Sequence, residues 1–345
     1  MFDADLPEIS AEELREAAKA PSTHATYLTA IRHYRDTWGG LLPASPDSIS
    51  RYIAKYAGKV SVSTSRVRLS ALSKWHSSQG FHDPTKAPEV KEVMKGLAKI
   101  YNAPQKSAPP FTFDHLRAVC DRLEEDKIKA IRMEDRPKLL QVHRDLALFL
   151  TAFWQGLRSD EVSRIRIEET VVLPDEELRF FLPHFKNDVH SNGREFVLPA
   201  MQLYCPVNAV QGWLDVSGLL EGPLFRKVDR WGGISESGIN KRSIEGILNR
   251  AAEGLFENKV KFTTHSFRKG FADWASKNDW DIKGLMDHVG WGSEQSALRY
   301  LPGKKNYGSL LLDRPSVLKR VVTEVEDNGR SVATTPTNRR QLFGT

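Results

Sequence analysis

The chain has 345 residues, with 50 lysines and arginines against 44 aspartates and glutamates, and a formal net charge of +6. This length allows two ordinary domains, and the positive charge favours a polyanionic partner. The two cysteines, Cys120 and Cys205, lie far apart without metal-ligand spacing, so no disulfide framework or zinc site is expected. The longest uncharged apolar run, 146–154, is too short for a bilayer span of about 20 residues. We therefore predict a cytoplasmic protein that has no membrane partner.

The first hundred residues combine an acidic start with a basic region. Residues 1–20 carry six acids against two basic residues, whereas 21–107 carry thirteen Lys or Arg against five Asp or Glu. Apolar periodicity between Gly and Pro residues predicts helices at 10–19, 22–38, 46–57, 62–79 and 87–101. The basic excess therefore lies in a region that is predicted to be helical.

One of these helices, 62–79, has a polar face that is suited to DNA. Arg66, Ser70 and Lys74 recur at i, i+4 and i+8 and therefore share one face. Apolar residues are expected to turn elsewhere: Val67, Ala71, Leu72 and Trp75. We predict that the polar face lies along a DNA groove, and a solvated helix surface is the alternative.

Residues 102–110 contain three prolines and predict an extended linker to a second domain. Further helices are expected at 112–125, 137–155, 206–216, 238–256, 264–277, 281–288, 293–299 and 314–326. Alternating apolar residues over 177–182 and 194–198 predict a small β-hairpin with Lys186 near its tip. The last eighteen residues, which contain no acid and little apolar content, are expected to form a flexible tail.

The region after the predicted linker contains an ordered set of side chains suited to a phosphodiester: Arg158, His265, Arg268, Trp291 and Tyr300. Two guanidiniums can fork onto the non-bridging oxygens of a phosphate, and imidazole and indole nitrogens can donate further hydrogen bonds. A tyrosine hydroxyl can attack phosphorus when positive groups offset its high pKa. The combination indicates an enzyme that joins itself covalently to DNA.

These residues resemble the motif of the tyrosine recombinases of the phage-integrase family, which runs Arg, Lys, His-x-x-Arg, His or Trp, then Tyr. Arg158 stands in a Gly-Leu-Arg turn with Glu161 three residues on, and Trp291 precedes Tyr300 by the family's nine residues. Chain length and Trp291 bring the sequence closest to the Cre-like members. The resemblance covers residues 111–327 in detail.

The resemblance implies a mainly α fold, with an amino-terminal helical core-binding domain that binds DNA and an α+β catalytic domain with a small β-sheet. It divides the chain into an acidic amino-terminal segment at 1–20, a core-binding domain at 21–101, a linker at 102–110, a catalytic domain at 111–327 and a flexible basic tail at 328–345.

It also implies a site-specific recombinase that works through a 3′-phosphotyrosyl intermediate without metal, cofactor or ATP. Tyr300 is expected to be the nucleophile, with both arginines on the phosphate. Lys186 is expected to be the general acid, and His265 to hydrogen-bond the phosphate and help to accept the tyrosine proton. Trp291 is expected to donate its indole N–H, and Glu161 to support Arg158. The implied partner is double-stranded DNA with an inverted-repeat target, bound at two sites by a homotetramer in the nucleoid.

Several alternatives remain open. His288 competes with Trp291, although it stands twelve residues before Tyr300, and Tyr307 and Lys227 compete with Tyr300 and Lys186. A type IB topoisomerase shares the same chemistry but relaxes supercoils as a monomer. A basic DNA-binding protein without catalytic activity is the alternative from a different functional class.

Overall fold

The computed structural model describes residues 10, 21–101, 108–183, 193–256, 260–298 and 300. The chain divides into two compact units, 1–106 and 107–345. The division falls inside the predicted linker. Several sequence predictions lie outside the described residues: those for Lys186, Tyr307, the helices at 10–19 and 314–326, and the tail.

The described part of the first unit is helical, as predicted. Its α-helices are α1 Pro21–Arg32, α2 Pro46–Lys55, α3 Val62–Ser78 and α4 Pro88–Tyr101. A π-helical turn, His33–Thr37, follows α1 directly, so the predicted helix at 22–38 is confirmed to within a residue. The Ser45 and Ser61 side chains accept hydrogen bonds from Ser48 and Thr64 backbone N–H groups, and these caps fix the starts of α2 and α3.

The polar face of α3 is exposed. Arg66, Ser70 and Lys74 are all exposed, while Ala71 and Leu72 are only 1% exposed. The expectation that Val67 turns away from this face was wrong, because Val67 is 40% exposed. Val67 lies three residues before Ser70 and seven before Lys74, so helical geometry places it beside these two exposed residues.

The second unit mixes helices with short strands. Its longer helices are α5 Phe113–Arg132, α6 Arg136–Trp154, α8 Pro206–Ser217, α9 Lys241–Ala251, α10 Thr264–Lys277 and α11 Ile282–Val289; α7 Ser159–Val162 and α12 Glu294–Leu298 are shorter. The strands are β1 Thr170–Leu173, β2 Glu177–Leu182, β3 Arg194–Pro199, β4 Arg226–Val228 and β5 Ile234–Gly238. Short 3-10 turns occupy Pro84–Lys86 in the first unit and Ile167–Glu169 in the second.

The predicted β-hairpin is confirmed. β2 and β3 pair antiparallel, with Leu178 opposite Leu198 and Phe180 opposite Phe196, and β1 pairs with the other edge of β2. Leu178, Phe180, Leu198 and the neighbouring Leu182 are almost fully buried. The period of two is therefore the signature of one covered sheet face.

The prediction of one helix over 238–256 was wrong at both ends. β5 pairs with β4 up to Gly238, and the Asn240 side chain then accepts a hydrogen bond from the Arg242 N–H and caps α9. The helix ends at Ala251. The predicted helix therefore began three residues too early and ended five residues too late, and Gly254, with a left-handed φ of +75°, lies just beyond the observed end.

Helix α6 runs through the core of the second unit. All residues from Leu146 to Trp154 are buried, and α5, α8 and α10 pack around this helix. The approach of α10 to the segment before α5 is very close, since a Cβ on Gly270 would lie 1.6 Å from the Phe111 carbonyl oxygen. None of the described helices is both long and apolar enough to cross a membrane.

Candidate active site

A buried carboxylate joins the two predicted phosphate-binding arginines. Glu161 Oε1 lies 2.7 Å from Arg158 Nη1, and Glu161 Oε2 lies 2.8 Å from Arg268 Nη2. Glu161 Oε2 also accepts the Arg158 backbone N–H at 2.7 Å. The Glu161 side chain is only 4% exposed. These contacts fix two guanidiniums, 110 positions apart in the chain, on one anion.

Local structure places each arginine. Gly156 adopts a left-handed φ of +60° directly after α6, and the turn carries the chain through Leu157 to Arg158. On α10, the Thr263 side chain caps the helix by accepting the His265 N–H, so His265 lies in the first turn and Arg268 one turn later. The sequence pair His-x-x-Arg thus lies on one side of a helix start.

Arg268 is almost fully buried but remains a cation at neutral pH. Burial lowers its pKa to about 10, although the Glu161 carboxylate opposes that shift. Its Nε also donates to the Gly156 carbonyl at 2.6 Å. Among the described residues its third nitrogen, Nη1, is buried without a hydrogen-bond partner. A buried donor without an acceptor is costly, so the site is suited to an added anion.

Tyr300 lies against two of the other predicted site residues. Its hydroxyl is 3.3 Å from His265 Nδ1, and its ring stacks on Trp291 with centroids 5.3 Å apart. Trp291 is 4% exposed, and its indole Nε1 is buried without a partner in the described part of the chain. The Arg268 guanidinium carbon lies 5.9 Å from the Trp291 ring centroid. Five of the six predicted catalytic residues are therefore joined by these contacts.

The predicted alternatives have other surroundings. His288 Nε2 lies 2.7 Å from the Trp154 carbonyl oxygen, and its ring stacks on Phe271. Burial lowers the pKa of His288. Lys227 is exposed on β4. Arg66, Ser70 and Lys74 belong to the first unit and take no part in the contacts described above.

The arrangement combines a tyrosine hydroxyl, an adjacent imidazole and two fixed guanidiniums. This set can stabilise negative charge that develops on a phosphate while the hydroxyl attacks. No group of three or more His, Cys, Asp or Glu side chains that is suited to a metal ion occurs among the described residues. Sequence reasoning missed Gln155, whose side chain bonds the His288 carbonyl; a lone glutamine before a Gly-Leu-Arg turn carries no chemical signal of its own.

Comparison with known proteins identifies similar sequences and folds. The sequence model of the phage integrase family matches residues 121–306. An integrase/recombinase XerD homologue of Selenomonas ruminantium is 28% identical over 304 residues, which cover 85% of each chain.

Three solved structures share the fold. A lambda integrase dimer bound to a COC′ core site has a TM-score of 0.56 at 14% identity, over 89% of this chain and 96% of that one. The Tn1549 transposon integrase in complex with transposon right end DNA has a TM-score of 0.55 at 12% identity, over 92% and 98%. XerH recombinase bound to a palindromic difH substrate has a TM-score of 0.54 at 15% identity, over 88% and 79%.

Proposed function

Because the chain belongs to the phage integrase family, we propose that it is a site-specific DNA recombinase that cleaves and rejoins strands through a covalent bond to Tyr300. One observation carries this proposal: the Tyr300 hydroxyl lies 3.3 Å from His265 Nδ1, beside buried donors of Arg268 and Trp291 that lack acceptors in the described residues. Phosphate oxygens would supply those acceptors. The closer likeness to Cre-like members stays a prediction.

The proposed reaction exchanges one phosphodiester for another. The Tyr300 oxygen attacks phosphorus while its proton passes to His265, and the bond from phosphorus to the 5′ oxygen breaks. Lys186 gives a proton to the departing 5′ oxygen. The product is a 3′-phosphotyrosyl ester and a free 5′ hydroxyl. Since the ester keeps the bond energy, a 5′ hydroxyl from a second duplex completes strand exchange without ATP.

The two arginines supply the electrostatic part of the mechanism. Negative charge increases on the non-bridging oxygens in the transition state, and donors that are already fixed stabilise it without reorganisation. Arg158 and Arg268 are fixed by Glu161, which contacts both. We assign Glu161 a supporting role rather than contact with the DNA. A metal ion or organic cofactor has no role in this proposal.

The proposed partner is double-stranded DNA with an inverted-repeat target site. Two of the similar folds were solved on a core site and on a palindromic substrate, which supports this choice. The exposed face of α3, with Arg66, Ser70 and Lys74, is proposed to contact the duplex, and a basic surface of this kind makes binding strongly salt-dependent. A nucleoid-associated, cytoplasmic location belongs to the same proposal.

Covalent capture on a nicked suicide substrate tests the function. The recombinase proposal predicts a protein–DNA adduct and exchange between paired sites. A topoisomerase of type IB would give an adduct with supercoil relaxation but no exchange. A DNA-binding protein without catalytic activity would give no adduct. Either of the last two results would overturn the proposal.

Exchange between two duplexes requires four protomers, and we propose a homotetramer. Residues 314–326 lie outside the described part of the chain, but their sequence carries an apolar stripe: Val317, Leu318, Val321, Val322 and Val325. Deletion of 314–345 is expected to leave single-site binding and to abolish synapsed tetramers and recombination. A normal tetramer of the truncated protein on paired-site DNA, measured by light scattering, would show that the stripe is not the assembly element.

A further inference from the structure

The ends of α6 and α11 are joined by a reciprocal pair of side-chain hydrogen bonds. Gln155 Nε2 donates to the His288 carbonyl oxygen at 2.5 Å, and His288 Nε2 donates to the Trp154 carbonyl oxygen at 2.7 Å. We call this pair the α6–α11 latch. Gln155 therefore holds the carbonyl end of α11, and His288 holds the carbonyl end of α6.

Two further features hold the same point. The Arg194 guanidinium at the start of β3 donates to the Asp287 carbonyl of α11. Gly156, next to Gln155, approaches α11 so closely that a Cβ there would lie 3.3 Å from a Val289 methyl group. The end of α11 is thus held by contacts from a helix end and a strand start.

The held segment leads directly to the candidate nucleophile's ring partner. Gly290 adopts a left-handed φ of +76°, and the backbone N–H groups of Gly290 and Trp291 both donate to the Met286 carbonyl, at 2.9 and 3.0 Å. This turn sets where Trp291 leaves the helix. Since Trp291 stacks on Tyr300, a shift of the end of α11 would move the tyrosine's support.

Gln155 is an unfavourable residue for packing alone. It is 1% exposed, and its side-chain Oε1 is buried without a hydrogen-bond partner among the described residues. A buried acceptor left unpaired costs stability, and an apolar side chain of the same size would avoid that cost. The benefit of Gln155 therefore lies in what its N–H group holds, which is the carbonyl end of α11.

We propose that Gln155 and His288 are positioning residues that hold Trp291 against Tyr300 and so set the rate of strand cleavage. The inference rests on the proposed function, since cleavage by Tyr300 is the step that the latch serves. Neither residue touches the Tyr300 hydroxyl in the described contacts. Their effect is expected to pass through Trp291.

Gln155→Met tests the proposal because it keeps the length of the side chain and removes both the N–H donor and the unpaired oxygen. Single-turnover adduct formation is expected to fall about tenfold or more, since small misplacements near reacting atoms have large effects on rate. The melting temperature is expected to stay within about 2 °C of the starting value, and DNA affinity is expected to be unchanged. Unchanged cleavage would overturn the inference.

Thr151→Val is the matched control. Thr151 lies one turn earlier on α6, is fully buried, and has a hydroxyl without a partner in the described residues. The substitution removes the same kind of unpaired group and leaves the latch intact, so cleavage is expected to be unchanged. A fall as large as that of Gln155→Met would show that any change in this part of α6 slows the reaction.

His288→Phe provides a second variant that keeps the stack on Phe271 and removes the Nε2 donor. In a Trp291→Ala background, Gln155→Met or His288→Phe is expected to change the cleavage rate by no more than about twofold. A purely structural role would give the same loss in both backgrounds. Full additivity would therefore contradict positioning through Trp291.

A spectroscopic measurement separates failure of this inference from failure of the proposed function. In a 15N-tryptophan-labelled protein, the indole N–H signal that is absent from Trp291→Phe identifies Trp291. That signal is expected to shift in Gln155→Met and not in Thr151→Val. An unmoved signal overturns the positioning of Trp291 whether or not the protein forms an adduct. Absence of any adduct from the unaltered protein overturns the proposed function and the effect on cleavage, whereas a shifted signal would still support the positioning of Trp291.

Discussion

Arg268 and Glu161 form a buried ion pair in which guanidinium Nη2 lies 2.8 Å from carboxylate Oε2, with side-chain exposures of 1% and 4%. The same carboxylate accepts the backbone N–H of Arg158 and contacts its Nη1. One buried anion thus sets the separation of the two guanidiniums that are proposed to bind the scissile phosphate.

Removal of that anion is expected to destabilise the second unit strongly. Glu161→Ala leaves Arg268 buried without its counter-charge, and such a break typically costs about 3–5 kcal/mol. Chemical unfolding measures this loss. Glu161→Gln keeps the shape and one acceptor and should cost clearly less. A loss below about 1 kcal/mol for Glu161→Ala would mean that Arg268 finds another partner or that water reaches the pair.

Arg268→Lys is expected to slow cleavage by about a hundredfold or more, because loss of one fixed transition-state donor has effects of this size. Lysine cannot reach the Gly156 carbonyl and Glu161 together, nor form a planar fork on phosphate. Single-turnover cleavage of a suicide substrate gives the rate. Arg179→Lys on β2, where Arg179 pairs with Glu177, is the control and should cleave normally. Near-normal cleavage by Arg268→Lys would remove this arginine from the site.

Gly270→Ala is expected to destabilise the protein by about 3 kcal/mol or more, the upper end of the usual cost of overpacking. A Cβ at this position would lie 1.6 Å from the Phe111 carbonyl oxygen, so α10 would have to move and carry His265 and Arg268 with it. Gly246→Ala on α9 is the control, since its Cβ would meet only the Arg250 guanidinium at 3.6 Å. Equal stability of the two variants would contradict the close helix approach.

Lys186→Ala is expected to slow cleavage of an ordinary phosphodiester and to be rescued by a bridging 5′ phosphorothiolate. The sulfur leaving group departs without a proton, so a missing general acid no longer matters. Rates on the two substrates are compared within each variant. Equal slowing on both would show that Lys186 is not the general acid, and Lys227→Ala then becomes the next variant to measure.

The candidate site was largely predictable because its side chains are chemically distinctive and keep a fixed order. Arg158, His265, Arg268, Trp291 and Tyr300 were selected from their types and spacing. The structure joins the last four by direct contacts and links Arg158 to Arg268 through Glu161. The roles assigned to them stay predictions. Glu161, the common partner of the two arginines, was only half predictable. Its contact with Arg158 is local, whereas its contact with Arg268 crosses 107 positions.

The long helices and one hairpin were predictable because their apolar periods are regular. β1, β4 and β5 were missed because strands of three to five residues carry too little alternation, and only the last residue of β5, Gly238, fell inside the helix predicted to follow it. The α6–α11 latch was not predictable either. Gln155 and His288 lie 133 positions apart, and only the packing of α10 against α6 and α11 brings their helix ends together.

The most direct test of the whole account is identification of the residue that becomes linked to DNA. After capture on a suicide substrate, protease digestion and mass spectrometry are expected to find the phosphodeoxyribose linkage on Tyr300, and Tyr300→Phe is expected to bind DNA with unchanged affinity and form no adduct. A linkage mapped to Tyr307, or an adduct that persists in Tyr300→Phe, would contradict the account.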